Sequence, residues 1–278
     1  MLHLFGSEQL FISLVAGILI SFILGISGTM VVHSGVSFFS DALGHCTFTG
    51  IALGQLIGIK NYEISSILFA VLFSLIISYL IEKEKSSADT IISIFSSAGL
   101  SLGIFILSFC GGISDYSDFL IGDILSVTKT EILGILLLLI FVVLFWIIFF
   151  NKFLISSLNK DLAVSKLVNF KFYKAIFMLV IAVVVSVAIR WVGILLINSL
   201  LTLPSAAARN ISKSMKQYVM ISSVFSIISG VFGFVISYFA GSSSAPLIVL
   251  FASVLYIVSH LISMRYNIPK ICRKYYDD

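Results

Sequence analysis

Apolar positions in this chain run in long segments that are hydrophobic nearly all round, not in the alternations or one-sided stripes of a soluble fold. The segments lie at roughly 10–32, 38–59, 64–81, 90–109, 131–150, 174–189, 191–203, 218–240 and 245–264. A helix rises ~1.5 Å per residue, so about 20 apolar residues cross the ~30 Å core of a bilayer. No Asp, Glu, Lys or Arg occurs from Gln9 to Ser40 or from Gln217 to Met264, so these stretches alone hold several spans. The sixth and seventh segments are short, with Arg190 and Trp191 between them. They read either as two short spans about an interfacial turn or as one broken helix. The pattern predicts an all-α fold: a polytopic membrane helix bundle of eight or nine transmembrane helices. Residues 1–278 form a single domain, and no soluble domain fits between the segments.

The polar connections orient the bundle. Residues 151–171 carry Lys152, Lys160, Lys166 and Lys171 against Asp161 alone. The stretch with Arg209, Lys213 and Lys216 is basic too, as is the tail with Arg265, Lys270, Arg273 and Lys274. By the positive-inside rule these three face the cytosol. The loop at 110–118 has two acids and no base, and 241–245 is serine-rich and neutral; both suit the outer face. Counting back places the start of the second segment near the cytosol, while the loop at 82–89 mixes signs and barely votes.

Composition agrees. With 59% hydrophobic and 11% charged residues in 278, a soluble domain could not hide the apolar surface. The net charge of +4 sits in a few loops, so nucleic acid is not expected as a partner. Cys46, Cys110 and Cys272 form neither a disulfide framework nor a zinc-finger pattern. Met1 to Gln9 lacks Lys and Arg, so a cleavable signal peptide is not expected. Gly50, Gly54 and Gly58 form a GxxxGxxxG ridge on the second segment, and Gly99 and Gly103 repeat the spacing on the fourth. Such ridges let helix backbones approach closely in lipid.

The chemistry concentrates at Asp41 and His45. Spaced i and i+4, their side chains share one helix face. An ionisable group within a span costs at least ~2.5 kcal/mol and normally faces a cavity, a partner or a substrate. Carboxylate oxygen with imidazole nitrogen suits divalent ions such as zinc, manganese and iron, and a transit site should stay incomplete so that it can release its ion. Read on residues alone, the pair serves equally as a mutual hydrogen bond or as a cap favourable to the helix dipole.

The run Gly28 to Gly58 resembles the signature of permease subunits of the bacterial ABC importers for zinc, manganese and iron. Asp41, Ala42, His45, Gly50, Ala52 and Gly54 match the form DAxxHxxxxGxAxG. The resemblance continues through Gly122 to Val127 (GDILSV), Gly193 to Leu196, and Leu203 to Arg209 (LPSAAAR), in order along nearly the whole chain. It implies that Asp41 and His45 contact the ion in its path. This sequence departs from the family in having His33-Ser34 where basic residues are usual, and Cys46 where a small or hydroxyl residue is. Cys46 would be a soft ligand favouring zinc, but it is turned ~100° from His45, so packing is preferred. The resemblance also implies that Pro204 to Lys216 is a short cytosolic helix seated in the ATPase subunit, with Pro204, Ser205, Ala206, Ala207, Ala208 and Arg209 in the coupling role. An ordinary basic loop is the alternative there.

Other polar residues carry less. Asp123 and Glu131 flank a stretch that reads as a short or re-entrant helix. Arg190 marks an interface where its charge reaches water. Asn198 lines the path or bonds a neighbouring helix, and His260 is expected to be a satisfied packing residue. The chain has no GxxxxGK[ST] and no HExxH, so any ATPase must be a separate chain.

The leading expectation is therefore a non-enzymatic transport subunit in the bacterial cell (inner) membrane. It binds no cofactor tightly and carries a divalent metal ion, zinc first, manganese second, iron third. Its partners are an ABC ATPase subunit, an extracellular metal-binding protein, a second permease copy or relative, and membrane lipid. A transporter driven by a proton or sodium gradient, with the pair as proton relay, is the alternative, counted against by the lack of a recognisable inverted repeat. An intramembrane enzyme using His45 as base lacks a nucleophile, because Ser40 lies ~140° round the helix.

Overall fold

The structure is a computed structural model that describes residues 8–59, 61–83, 87–110, 124, 127–158 and 170–266. The described residues form nine α-helices and no strand. In chain order they are α1 (Glu8–His33), α2 (Phe38–Ile57), α3 (Tyr62–Lys83), α4 (Ala88–Cys110) and α5 (Lys129–Leu158), then α6 (Phe170–Val192), α7 (Ile194–Ile211), α8 (Met215–Ala240) and α9 (Ser244–Tyr266). Each expected segment is one helix. The GDILSV stretch apart from Ile124 and Val127, the loop at 111–118, most of 151–171 beyond the end of α5, and the residues after Tyr266 lie outside the described residues.

Eight of these helices are long and apolar enough to cross a membrane, and α2 is the exception. Its 20 residues include Ser40, Asp41, Gly44, His45, Thr47, Thr49, Gly50, Gly54 and Gln55, which a lipid-facing helix would not tolerate. At ~1.5 Å per residue it still has the length of a span, and it buries its polar length against other helices. α5 does the reverse: Leu133, Leu137, Ile140, Leu144, Ile147 and Ile148 are all exposed, as lipid contact requires.

The junction of the sixth and seventh segments resolves as two helices broken at Gly193, three residues past Arg190. Gly193 has φ +78, a left-handed conformation that glycine adopts without the Cβ clash. Arg190 lies in the last turn of α6 and forms an ion pair with Glu63 in the first turn of α3, so these two helix ends lie on one side. Its charge is met by a carboxylate as well as by water.

The described residues divide into two compact units. One takes residues 1–32, 121–144 and 191–278, and is built from α1, the first half of α5, α7, α8 and α9. Its seams are made of small residues. A Cβ on Gly28 would strike the carbonyl of Leu201 and the hydroxyl of Ser205, and one on Gly25 would lie 2.7 Å from Ser226. Ser222 donates to Gly25 O at 2.8 Å, Ser226 donates to Ser21 O at 2.6 Å, and Ser205 and Ser222 share a bond of 2.9 Å. At the helix starts, Glu8 pairs with Lys129, and Gln9 donates to Val127 O at 2.9 Å. Near the other ends, Asn210 donates to Ser259 at 3.2 Å.

The second unit takes residues 33–120 and 145–190. Here α2 packs on α3 and α4. Ser65 donates to Gly50 O, and Ser65 also meets Gly54, so these two glycines face α3. On the other flank, Thr49 donates to Gly99 O, and a Cβ on Gly103 would lie 2.7 Å from Thr49 N. Gly58 does not belong to the packing ridge. At φ +83 it caps the C-terminus of α2, its N–H returning to Gln55 O and Gly54 O, and a Cβ there would meet open space. Phe145, Trp146, Phe149, Phe153, Tyr173 and Phe177 stack between the end of α5 and α6.

Candidate functional site

The site is built at the start of α2 within the second unit. The chain turns tightly after α1, with Phe39 N donating to Val36 O at 3.0 Å and Ser40 donating to Ser37 O at 3.2 Å. One turn later Asp41 and His45 face the same way. His45 Nε2 lies 3.4 Å from Asp41 Oδ2, and the two side chains are 33% and 37% exposed. A charge-assisted bond normally closes to ~2.7–2.9 Å, and an ion pair this exposed contributes ~0–1 kcal/mol. As a mutual brace the pair is weak.

What a mutual hydrogen bond leaves unexplained is the space in front of it. Asp41 and His45, with Phe38, line a partly open cavity of about 240 Å³ whose other wall is Ile92, Ser93, Ser96, Ser97 and Leu100 of α4. A water takes ~30 Å³ in the liquid, so the cavity has room for an ion with several of its waters. His45 Nδ1 is buried without a hydrogen-bond partner among the described residues. No cluster of three or more His, Cys, Asp or Glu side chains able to hold a metal occurs among the described residues. The arrangement supplies one carboxylate and one imidazole, two anchoring groups for a cation whose remaining ligands are water or hydroxyl oxygen.

The other sequence candidates fall elsewhere. Cys46 is buried, and its sulfur sits 2.7 Å from where a Gly99 Cβ would be; it fills the α2–α4 seam and does not line the cavity. Asn198 is half-buried on α7 in the other unit, its carbonyl accepting from Thr202 at 2.8 Å. Pro204 to Arg209 do not start a separate short helix. They are the later turns of α7, with Pro204, Ser205, Ala207 and Ala208 buried and the helix running on to Ile211. Membrane helices tolerate proline where neighbouring groups can satisfy the freed backbone, and Pro204 lies inside α7. Lys213 and Lys216 are exposed about the short turn into α8. His260 stacks on Tyr256 at 6.2 Å, yet its buried Nδ1 has no hydrogen-bond partner among the described residues, so it is packed but not satisfied as expected.

Sequence reasoning missed the α4 wall. Ser93, Ser96 and Ser97, at i, i+3 and i+4, share one face of α4, and the same helix carries Gly99 and Gly103. That spacing was the available signal.

The profile of the ABC 3 transport family matches residues 7–263. The chain is 34% identical over 260 residues to the "High-affinity zinc uptake system membrane protein ZnuB" of Buchnera aphidicola subsp. Schizaphis graminum, covering 91% of this chain and 98% of that one. It is 31% identical over 256 residues to the "Manganese import system permease protein ScaB" of Streptococcus gordonii, covering 90% of each. Among solved structures it matches a chain of "PsaBC from Streptococcus pneumoniae in complex with Fab", with a TM-score of 0.82, 29% identity and 95% of each chain covered.

Proposed function

This chain belongs to the ABC 3 transport family, and from that membership we infer that it is the multi-pass permease subunit of a zinc or manganese importer in the bacterial inner membrane. Zinc is the first choice, manganese the second and iron the third. The near full-length similarity to permeases named for zinc and for manganese supports this reading, as do the eight spanning helices. The chain works as one permease domain and carries no phosphate-binding loop of its own. It therefore pairs with an ABC ATPase subunit that supplies the energy, receives its ion from an extracellular metal-binding protein, and forms the pathway with a second permease copy or relative. The C-terminal turns of α7 and the basic turn after it, residues 204–216, are the segment we assign to contact with the ATPase.

The ion passes along Asp41 and His45. The observation that carries this assignment is the cavity: the two costly polar groups of α2 are turned to a space large enough for a partly hydrated ion. The carboxylate offers charge, and the imidazole offers a nitrogen ligand when neutral. Two anchors without a closed cage hold the ion weakly enough to release it.

Uptake of each ion into vesicles holding the chain with its ATPase partner tests the reading. Asp41→Ala and His45→Ala should each lower uptake by about 100-fold or more, beyond the ~10–100-fold that loss of a merely supporting group costs a metal site. Full activity in both variants would remove the pair from the path. Uptake that persists without any ATPase and collapses with an uncoupler would return the chain to the gradient-driven class.

A further inference from the structure

α4 contributes more than a wall to the cavity. Ser93, Ser96 and Ser97 line it opposite Asp41 and His45. Serines in these helices commonly spend their hydroxyl on the preceding turn: Ser66 donates to Glu63 O at 2.9 Å, Ser108 to Phe105 O at 2.7 Å and Ser223 to Val219 O at 2.9 Å. The hydroxyls of Ser93, Ser96 and Ser97 form no hydrogen bond with any described residue. Ser96 is 9% exposed, so its oxygen has little bulk water to turn to apart from the cavity. Three uncommitted hydroxyls on one helix face, across from a carboxylate and an imidazole, make a set of hard oxygen donors. The one soft donor nearby, Cys46, is packed against Gly99.

We propose that Ser93, Ser96 and Ser97 are the second half of the ion's path, exchanging with its hydration waters as it leaves Asp41 and His45, and that they set the path's preference for harder over softer divalent ions. The proposal rests on the reading of Asp41 and His45 as the ion path. Hydroxyl oxygen is a neutral, weak ligand that replaces water at little cost. It holds a hard or borderline ion such as manganese or zinc, and discriminates against cadmium, which thiolate favours. No covalent step is involved.

The test uses the complete transporter in vesicles, with zinc or manganese as tracer, whichever the unaltered complex carries faster, and with cadmium as competitor. The triple variant Ser93→Ala, Ser96→Ala, Ser97→Ala should raise the KM of the tracer about tenfold. Ser96→Thr placed in the triple background, which returns one of the three hydroxyls, should recover part of the loss and leave KM between those of the triple variant and the unaltered complex. Ser96→Cys alone should let cadmium block uptake at about tenfold lower concentration, a shift that a merely structural serine would not produce, and this arm stands even if the triple variant fails to assemble. Unchanged cadmium block in Ser96→Cys, or unchanged KM in the triple variant, overturns the proposal while leaving Asp41 and His45 in the path. Full uptake in Asp41→Ala and His45→Ala overturns both.

Discussion

Two helix seams in this molecule use the same materials to different ends. In the first unit, α1 meets α7 and α8 through Gly25, Gly28, Ser21, Ser205, Ser222 and Ser226, and the serines are spent: Ser222 on Gly25 O, Ser226 on Ser21 O, Ser205 on Ser222. In the second unit, α2 meets α4 through Cys46, Thr49, Gly99 and Gly103. Only the half away from the start of α2 is closed, where Thr49 donates to Gly99 O. The other half, from Phe38 to His45 against Ile92 to Leu100, stands open over a cavity with its serine hydroxyls uncommitted. Glycine brings helices together in both places. Whether the hydroxyls then bond across the seam or face a space separates a joint from a site.

The sharpest way to break that contrast is to wedge each seam. Gly28→Ala sets a methyl against the carbonyl of Leu201, a backbone atom that cannot swing aside. Overpacking of this kind costs ~1–3 kcal/mol, and the position sits at the severe end. The expected outcome is a large loss of thermal stability in detergent, with surviving protein keeping its KM for the ion. Gly103→Ala presses on Thr49 N and Phe48 C and should instead alter KM, because it moves α4 relative to α2 beside the cavity. Melting curves and uptake kinetics on the two variants read this directly. Equal loss of stability with no KM change at Gly103 would make the two seams alike.

A smaller effect is expected from the spent hydroxyls. Ser222→Ala removes the donor to Gly25 O and the partner of Ser205. Such bonds between membrane helices contribute ~0.6–1.7 kcal/mol. A modest fall in melting temperature with unchanged KM is the outcome of a joint. A KM raised as far as in the α4 serine variants would mean that Ser222 also handles the ion.

The contrast between seams was only half legible before folding. The nine segments could be read directly, since lipid demands unbroken apolar length, and Asp41 with His45 could be read because a charge inside such a segment needs a reason. Boundaries that depend on backbone geometry were not. Arg190 drew attention as a divider because it is charged, yet the break is at Gly193, where φ is positive. Gly58 fits the ridge by spacing, but the ridge ends where the helix does, and its left-handed cap is invisible in a count of four. Pro204 to Lys216 read as a separate short helix, yet Pro204 lies inside α7. The serines were hardest of all. Ser222 and Ser96 are the same residue in the same kind of helix, and only the neighbouring helix decides which hydroxyl is committed.

Cys46 provides the finest test, because it lies between the two halves of the α2–α4 seam. It is one residue from His45 in sequence, and sulfur would be the strongest soft ligand within reach. The fold turns it onto Gly99 instead, where it is buried at 1% exposure. Cys46→Ala should therefore remove packing and nothing else. A small void beside Gly99 costs about 1 kcal/mol of stability, while KM changes by less than about threefold, well short of the ~10-fold that even a supporting group costs a metal site. Cadmium block should be unaltered, in contrast to its strengthening in Ser96→Cys. If Cys46→Ala weakened cadmium block instead, the thiol would reach the ion during transport, and the closed half of the seam would have to open in the working cycle.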